Sequence, residues 1–295
     1  MKPTIPLIAL MLAGCTQPVA SGGGGPVLQT IVSTNPCADA MLVELVPAGR
    51  IAAISHYSVQ AEASSMPLSV ARRFATTAGT AEEVIGLHPD LVVTSSFTPP
   101  ATLAAYQRVG LKVLTLDSPT TIAASEAQIR TLAAALGVQR QGEAMIGRIE
   151  AAVSASSVPR RRPGPSYGTL ATGSRPSPGN KDEPSALLFI AGDLANGTGT
   201  LLDELLTRAG FRNAAADYGL HFTGGLPIET IAAHPPRVIL APDASRTAIL
   251  RTRVLARTGA TVTEANFSRR LVNCGGPAII PALQRLSDVR RSIGS

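Results

Sequence analysis

The sequence predicts an α/β protein built from two similar lobes, and the main evidence is a pattern that occurs twice. Residues 81–96 (AEEVIGLHPDLVVTSS) and 227–243 (PIETIAAHPPRVILAPD) each contain an acidic residue, a short helical turn, His-Pro and an apolar run. The copies lie 146 positions apart, from Glu83 to Glu229. Because this distance is close to one domain length, the duplication predicts two lobes rather than a short tandem array.

Each copy has the features of a helix followed by a buried strand. Glu82, Glu83 and Glu229 fall in the first turn of a helix, where the positive end of the helix dipole stabilises a carboxylate. The proline after each histidine cannot continue the helix and biases the histidine toward extended geometry. The apolar runs that follow are typical of strands buried on both faces of a parallel sheet.

The first 26 residues predict export and a lipid anchor. Lys2 precedes an apolar stretch that is too short to span a bilayer, and residues 12–15 (LAGC) match a bacterial lipoprotein box. We therefore expect residues 1–14 to be a signal peptide, Cys15 to carry a lipid, and the mature protein to be periplasmic and membrane-anchored. The alternative is an ordinary secretory signal with an incidental cysteine. Residues 15–26 contain four consecutive glycines, which predicts a flexible tether.

The rest of the chain divides into two stretches of alternating strands and helices, which indicates parallel sheets. The first stretch, residues 27–120, has strands predicted at 27–34, 51–55, 91–95 and 112–117, and helices at 37–46 and 100–109. Residues 121–157 are predicted to be helical and to bridge the lobes. The second lobe, residues 186–295, has strands predicted at 186–191, 238–242 and 261–264, and helices at 201–209, 245–257 and 278–293.

Two features that suggest other functions are better explained by composition. The net charge of +6 invites a nucleic-acid interpretation, but export argues against it and no basic helix is interleaved with aromatic residues. Residues 164–168 (GPSYG) match the G-x-S-x-G pattern of serine hydrolases. They lie in the low-complexity segment 158–185, without the strand and helix that this pattern requires. We expect no enzymatic activity and no cofactor.

Six stretches, in their order and spacing, resemble the substrate-binding proteins of ABC importers for cobalamin and ferric-siderophore complexes. They cover nearly all of residues 27–290 and read TIVSTNPCADAMLVEL with GRIAAIS, GTAEEVIGLHPDLVV, YQRVGLKVLTLD, GTGTLLDELLTRAGFRNAA, LPIETIAAHPPRVIL and CGGPAIIPALQRLSD. The resemblance implies two Rossmann-like lobes joined by a long backbone helix, the TroA/chelatase-like arrangement of class III periplasmic binding proteins. It also implies a ligand held between the lobes, which is an iron complex (siderophore or haem-like) or cobalamin.

The resemblance further implies that one glutamate on each lobe binds arginines of the membrane permease. Glu229 is the candidate on the second lobe. On the first lobe, counting back from the proline favours Glu82, whereas alignment of the repeats favours Glu83. Carboxylates at helix starts suit bidentate contacts with arginine. The alternative is that these are ordinary helix-stabilising acids.

In such a fold, turns that follow strands line the ligand cleft. This rule nominates eleven ligand-binding candidates: Asn35, Cys37, His56, Tyr57, Ser96, Phe97, Asn196, His221, Phe222, Phe267 and Cys274. Tyrosine and phenylalanine rings can pack on a flat macrocycle or chelate. The Gly-Thr-Gly-Thr turn at 197–200 is a helix cap or an anion site. For Cys37 and Cys274, free structural thiols, an interlobe disulfide and contact with the ligand all remain open.

Several alternatives concern the ligand. Cobalamin binders of this family use tryptophan, which this chain lacks. Siderophores often meet arginine clusters, for which Arg72, Arg73, Arg269 and Arg270 are candidates by residue type. A zinc- or manganese-binding protein would share the architecture but needs three or four converging histidines and carboxylates. Because the chain has four histidines and two of them precede prolines in the repeats, we expect no resident metal.

Overall fold

The computed structural model describes residues 29–156, 183–242 and 246–294. Two separate sheets, each covered by helices, confirm the prediction of a two-lobed α/β protein. Residues 1–28, including Cys15, and most of the low-complexity segment 158–185 lie outside the described residues. None of the helices in the described ranges is long and apolar enough to cross a membrane.

The amino-terminal lobe contains a parallel sheet of five strands in the order β3-β2-β1-β4-β5. Its strands are β1 (Ile31–Ser33), β2 (Ile51–Ser55), β3 (Thr76–Thr77), β4 (Leu91–Ser95) and β5 (Val113–Leu116). Its helices are α1 (Pro36–Leu45), α2 (Leu68–Ala71), α3 (Ala81–Gly86) and α4 (Pro100–Arg108). The central strands are buried on both faces, as their continuous apolar runs predict.

Two helices, α5 (Ile122–Leu136) and α6 (Gln139–Ser156), connect the sheets. Gly137 ends α5 in the left-handed conformation, with φ 72°, and the chain turns back so that α6 packs against α5. A Cβ atom on Gly142 would lie 2.6 Å from the Cβ of Ala133. This close approach explains why a helix interior that normally disfavours glycine contains one here.

The carboxy-terminal lobe has a mixed sheet in the order β11-β10-β6-β7-β9, with β8 paired to β6. Its strands are β6 (Ser185–Ala191), β7 (Leu194–Asn196), β8 (Arg212–Asn213), β9 (Thr223–Gly225), β10 (Val238–Ala241) and β11 (Thr263–Asn266). Its helices are α7 (Leu201–Arg208), α8 (Ile228–Ala233), α9 (Arg246–Ala256) and α10 (Ile279–Ser292). Strands β7 and β9 run antiparallel to their neighbours, which alternation of strands and helices did not predict.

Strand β6 divides the core of the second lobe into two layers. Leu188 faces a large cluster that continues through α6, α7 and α10 into the first lobe. Leu187 and Phe189 face the other side, which α8 and α9 cover. Both layers are buried and mostly apolar, so the sheet holds the turns at its carboxyl end in fixed positions.

Candidate functional site

The two lobes meet at the carboxyl ends of the amino-terminal strands. Cys37, at the start of α1, forms a disulfide with Cys274, which precedes α10, with a Cα–Cα distance of 5.2 Å. Glu62 of the first lobe forms an ion pair of 2.9 Å with Arg269 of the second. These contacts place the strand-end turns of the first lobe opposite the second lobe, as a ligand cleft requires.

The floor of this cleft is a cavity of about 180 Å³ to which both lobes contribute. Ser118, Pro119 and Thr120 follow β5 in the first lobe. Asn196 and Thr200 line the cavity from the second lobe. Asn35, His56 and Ser96 were nominated because they follow strands. Residues 118–120 also follow a strand, so this strand-end rule could have identified them from the sequence.

The disulfide settles one of the three alternatives left open for the cysteines. Cys274 is buried, Cys37 is partly buried, and both sulfurs are consumed by the bond. Free structural thiols are therefore wrong. Cys274 also lines the cleft floor, so the disulfide forms part of its wall.

Asn35 shapes the cleft but has its polar atoms committed to the fold. Its Oδ1 accepts hydrogen bonds from the backbone amides of Cys37 and Ala38 at the start of α1. Its Nδ2 donates to the carbonyl oxygens of Thr94 and Leu116 at 3.2 and 3.4 Å. It is buried, and in this arrangement it acts as a helix cap that ties three strand ends together.

His56 and Tyr57 follow β2 as a stacked pair, with ring centroids 4.0 Å apart. His56 is partly buried and its Nδ1 lies 3.3 Å from the carbonyl oxygen of Thr77. Tyr57 is 48% exposed. The Tyr57 ring is therefore half-exposed, and it lies beside the His56 imidazole, whose Nδ1 contacts the Thr77 carbonyl.

A buried carboxylate, which the sequence did not single out, holds this pair in place. Asp39 in α1 accepts hydrogen bonds through one oxygen from the amide of Ser55, at 2.9 Å, and the hydroxyl of Ser58, at 2.6 Å. Its other oxygen, Oδ1, is buried without a partner. Burial raises the pKa of the Asp39 carboxyl to about 7, although the neighbouring polar groups of Ser33, Ser58 and Ser55 act in the opposite direction.

Two further nominated residues, Ser96 and Phe97, lie in the turn after β4. Both are exposed, and the Phe97 side chain is 82% exposed. A phenylalanine side chain this exposed contributes little to the packing of the hydrophobic core. It lies at the same sheet edge as Tyr57, since β2 and β4 flank β1 in one parallel sheet.

In the second lobe, His221 and Phe222 are held against the loop that opens α7. The amide of Gly197 donates to the carbonyl of Phe222, and the amide of Phe222 donates to the carbonyl of Thr198 at 2.9 Å. His221 Nδ1 lies 2.8 Å from the Thr198 hydroxyl. A Cβ atom at Gly197 would be 2.1 Å from the carbonyl oxygen of Phe222, so only glycine permits this contact.

Phe222 has a strained backbone and an exposed ring. Its φ is 58°, in the left-handed region that bulky residues rarely adopt, and the side chain is 64% exposed. Strain of this kind persists where the surrounding structure enforces it, and such positions cluster at functional sites. Asn196, in contrast, is buried and bonds to Thr200 and Gly197, so it supports the loop.

The nomination of Phe267 was wrong. Its side chain is 0% exposed and belongs to the central hydrophobic core, although it directly follows β11. The strand-end rule locates the turn but not the direction of the side chain. Of the arginine candidates, Arg72 and Arg73 are exposed near α2, and Arg269 is paired with Glu62.

The three acidic candidates are exposed at the starts of α3 and α8, but they differ in their contacts. Glu83 accepts hydrogen bonds from the Thr77 hydroxyl and the Ala78 amide, both at 2.7 Å. These bonds lower the pKa of Glu83. Glu82 makes no hydrogen bond or ion pair with any described residue. Glu82 and Glu229 are each the second residue of their helix, after Thr80 and Pro227 respectively.

The described ranges contain no group of three or more histidine, cysteine, aspartate or glutamate residues that could hold a metal ion. His56 and His221 lie on different lobes, and His88 and His234 lie at the ends of α3 and α8. The histidines among the described residues therefore do not converge on one point.

Comparison with known proteins identifies this arrangement. Residues 31–157 match the family model described as periplasmic binding protein. The periplasmic heme-binding protein RhuT from Roseiflexus sp. RS-1 has a similar structure, with a TM-score of 0.65 and 22% identity over 88% of this chain and 98% of that one. No curated protein sequence matches the chain.

Two structures from Vibrio cholerae extend the comparison. The periplasmic heme-binding protein HutB gives a TM-score of 0.67 with 16% identity, over 89% of this chain and 98% of that one. The periplasmic vitamin B12 binding protein BtuF gives 0.62 with 15% identity, over 90% and 98%. Residues 31–157 thus match the sequence pattern of the periplasmic binding protein family, and the described residues have the two-lobed α/β fold of these structures.

Proposed function

We propose that this protein is the solute-binding component of an ABC importer and that its cargo is a flat iron–tetrapyrrole complex of the haem type. The observation that carries the proposal is a set of three exposed rings in turns of the two lobes: Tyr57 after β2, Phe97 after β4, and Phe222 against the loop that opens α7. Exposed aromatic rings stack well on a planar macrocycle, and three of them together cost solubility unless a ligand covers them. Similar structures that bind heme support this choice of ligand.

The chemistry of the cleft favours an iron complex with open axial positions. Tyrosine and histidine are both used as axial ligands of haem iron, and the cleft offers Tyr57 and His221 on opposite lobes. The cavity on the cleft floor, about 180 Å³, is smaller than the roughly 300–1,000 Å³ of typical ligand pockets. A macrocycle would therefore lie above this floor, among the exposed rings, with the disulfide as one wall.

The proposal is tested by titrating the purified protein with hemin, cyanocobalamin and a ferric siderophore, each followed by absorbance and thermal unfolding. We expect a shifted Soret band and a raised unfolding temperature with hemin. Hemin binding about 3- to 10-fold weaker is expected in Phe97→Ala and Phe222→Ala. The matched controls Leu87→Ala and Val109→Ala remove exposed hydrophobic side chains at the opposite edge of the same lobe and should bind normally. Stabilisation by cyanocobalamin alone or by the ferric siderophore alone would contradict the proposed ligand.

For permease docking we propose Glu82 and Glu229 as the pair. Both are exposed second residues of short helices, so their positions in the two lobes correspond. Glu83 is occupied by Thr77 and Ala78, and it acts as the local cap of its turn. The sequence repeat pairs Glu83 with Glu229, whereas position within the helix pairs Glu82 with Glu229.

We also propose that Cys15 carries a lipid that anchors the protein to the membrane, with residues 15–26 as the tether. The support is the lipoprotein box at residues 12–15 and the glycine run that follows it. Mass spectrometry of the mature protein purified from membranes tests this directly. A mass without the diacylglycerol, or an amino terminus other than Cys15, would contradict it.

A further inference from the structure

A second cavity, of about 200 Å³, lies within the carboxy-terminal lobe between α8 and α9. Its walls are mostly apolar and come from Phe189 of β6, Leu226 before α8, Ile231 of α8 and Leu250 of α9. It shares no lining residue with the cavity on the cleft floor, because the sheet of the second lobe separates them. Its contents are therefore independent of the cargo in the interlobe cleft.

One charged side chain, Arg251 of α9, is buried in the wall of this cavity. The residue is only 4% exposed, and its guanidinium carbon lies 3.9 Å from the centre of the Phe189 ring. Its Nη1 donates to the carbonyl oxygen of Gly192 at 3.4 Å, whereas its Nε is buried without a partner. Among the described residues, no carboxylate lies within ion-pair distance of this guanidinium.

A buried cation without a counter-ion is costly, and the described residues supply none within ion-pair distance of Arg251. The negative charge of Glu264 acts on Arg251 from a distance. The Glu264 carboxylate, however, accepts a hydrogen bond from the Thr252 hydroxyl, at 2.9 Å through Oε1 and 2.8 Å through Oε2. Asp193 also lines the cavity, yet its side chain is exposed to solvent and forms no ion pair with Arg251 in this arrangement. The Nε–H of Arg251 is thus a hydrogen-bond donor without a partner in the wall of a mostly apolar cavity.

We propose that this cavity is a second binding site, which takes a small organic carboxylate with a short apolar body. The planar guanidinium matches the geometry of a carboxylate, and the unpartnered Nε supplies a donor for it. The walls formed by Leu226, Ile231 and Leu250 suit an aliphatic or aromatic body. A phosphate suits the site less well, because besides Arg251 only the Thr247 hydroxyl among the described lining side chains could donate to its additional oxygens.

The test uses isovalerate and benzoate as probes, with isovaleramide and benzamide as neutral controls of the same shape. Thermal unfolding and calorimetry are measured on the full mature protein at matched ionic strength. The two acids should raise the unfolding temperature and the two amides should not. Equal effects of acids and amides, or no effect of the acids at tens of millimolar, would overturn the proposal.

Two variants separate binding from folding. Arg251→Met should abolish the effect of the acids, and it should not destabilise the protein, since it removes an unpaired buried charge. Leu250→Trp keeps Arg251 and fills the rim at a residue that is 56% exposed, so it should fold and also fail to bind. Retained binding of the acids in either variant contradicts the site. Hemin binding should be unchanged in both, which separates this test from that of the cargo.

Discussion

Cys37 and Cys274 are 237 positions apart in the sequence, yet their disulfide closes the junction between the lobes. Cys37 lies at the start of the first helix of one lobe, and Cys274 precedes the last helix of the other. The Glu62–Arg269 ion pair and the hydrogen bond from the Gly276 amide to the Ser125 hydroxyl lie in the same region. One side of the cleft is therefore fixed covalently.

Removal of the disulfide should destabilise the protein. A cross-link that closes a loop of this length restricts the unfolded chain, and disulfides typically contribute about 2–4 kcal/mol. The double variant Cys37→Ser/Cys274→Ser should therefore lose about this amount of unfolding free energy in urea titrations. Addition of reductant should destabilise the native protein but not the variant. A titration that finds both thiols free in unfolded, unreduced protein would contradict the bond.

Charge reversal should separate the two acidic neighbours at the start of α3. Glu82→Lys and Glu229→Lys should each abolish uptake of the cargo in a reconstituted importer and leave hemin affinity unchanged, because neither residue lines the interlobe cavity. Glu83→Gln is the matched control. It weakens the cap formed with Thr77 and Ala78 but should retain uptake. Loss of uptake in Glu83→Gln with normal uptake in Glu82→Lys would reverse the assignment.

The sequence predicted the parallel parts of the fold well, because their physical signals are local. The strands 51–55 and 91–95 have the predicted bounds, since continuous apolar runs and adjacent turn residues mark both ends. The antiparallel strands β7 and β9 were missed because each has only three residues and is defined by pairing with a distant partner. Local periodicity carries no information on such pairings.

The candidate site was predicted in outline by the strand-end rule and less well in its individual side chains. The rule placed Tyr57 and Phe97 correctly in exposed turns, but it also nominated Phe267, whose ring points into the core. Sequence position fixes where a turn lies, whereas tertiary packing decides which way its side chains point. The same limit explains why Asp39 and Arg251 were not singled out: their importance depends on burial, which only the fold reveals.

Replacement of Phe222 by asparagine should raise stability and lower affinity for the cargo. Its left-handed φ of 58° costs about 1–2 kcal/mol for a residue with a bulky side chain, whereas asparagine tolerates this conformation. Phe222→Asn should therefore be more stable than Phe222→Ala in urea titrations. Both variants lose the exposed ring, so both should bind hemin about 3- to 10-fold more weakly. Equal affinity of wild type and variants would exclude this ring from the site.

The buried carboxyl of Asp39 should make stability depend on pH. Its folded pKa of about 7 is raised above the ordinary value, so the folded protein binds this proton more tightly than the unfolded chain does. The stabilisation is therefore fully present below about pH 4 and is lost as the pH rises through about 7. From the size of the shift, the loss is about 4 kcal/mol in unfolding free energy.

Asp39→Asn isolates this effect. The side-chain oxygen of asparagine can still accept from the Ser55 amide and the Ser58 hydroxyl, and its amide replaces Oδ1, which has no partner. The variant should fold, hold the His56–Tyr57 turn in place, and lack the pH dependence due to this group. The measurement is the difference in unfolding free energy between wild type and variant from pH 4 to pH 8. Because all other ionisable groups are shared, a difference that stays constant with pH would mean that the Asp39 pKa is not raised.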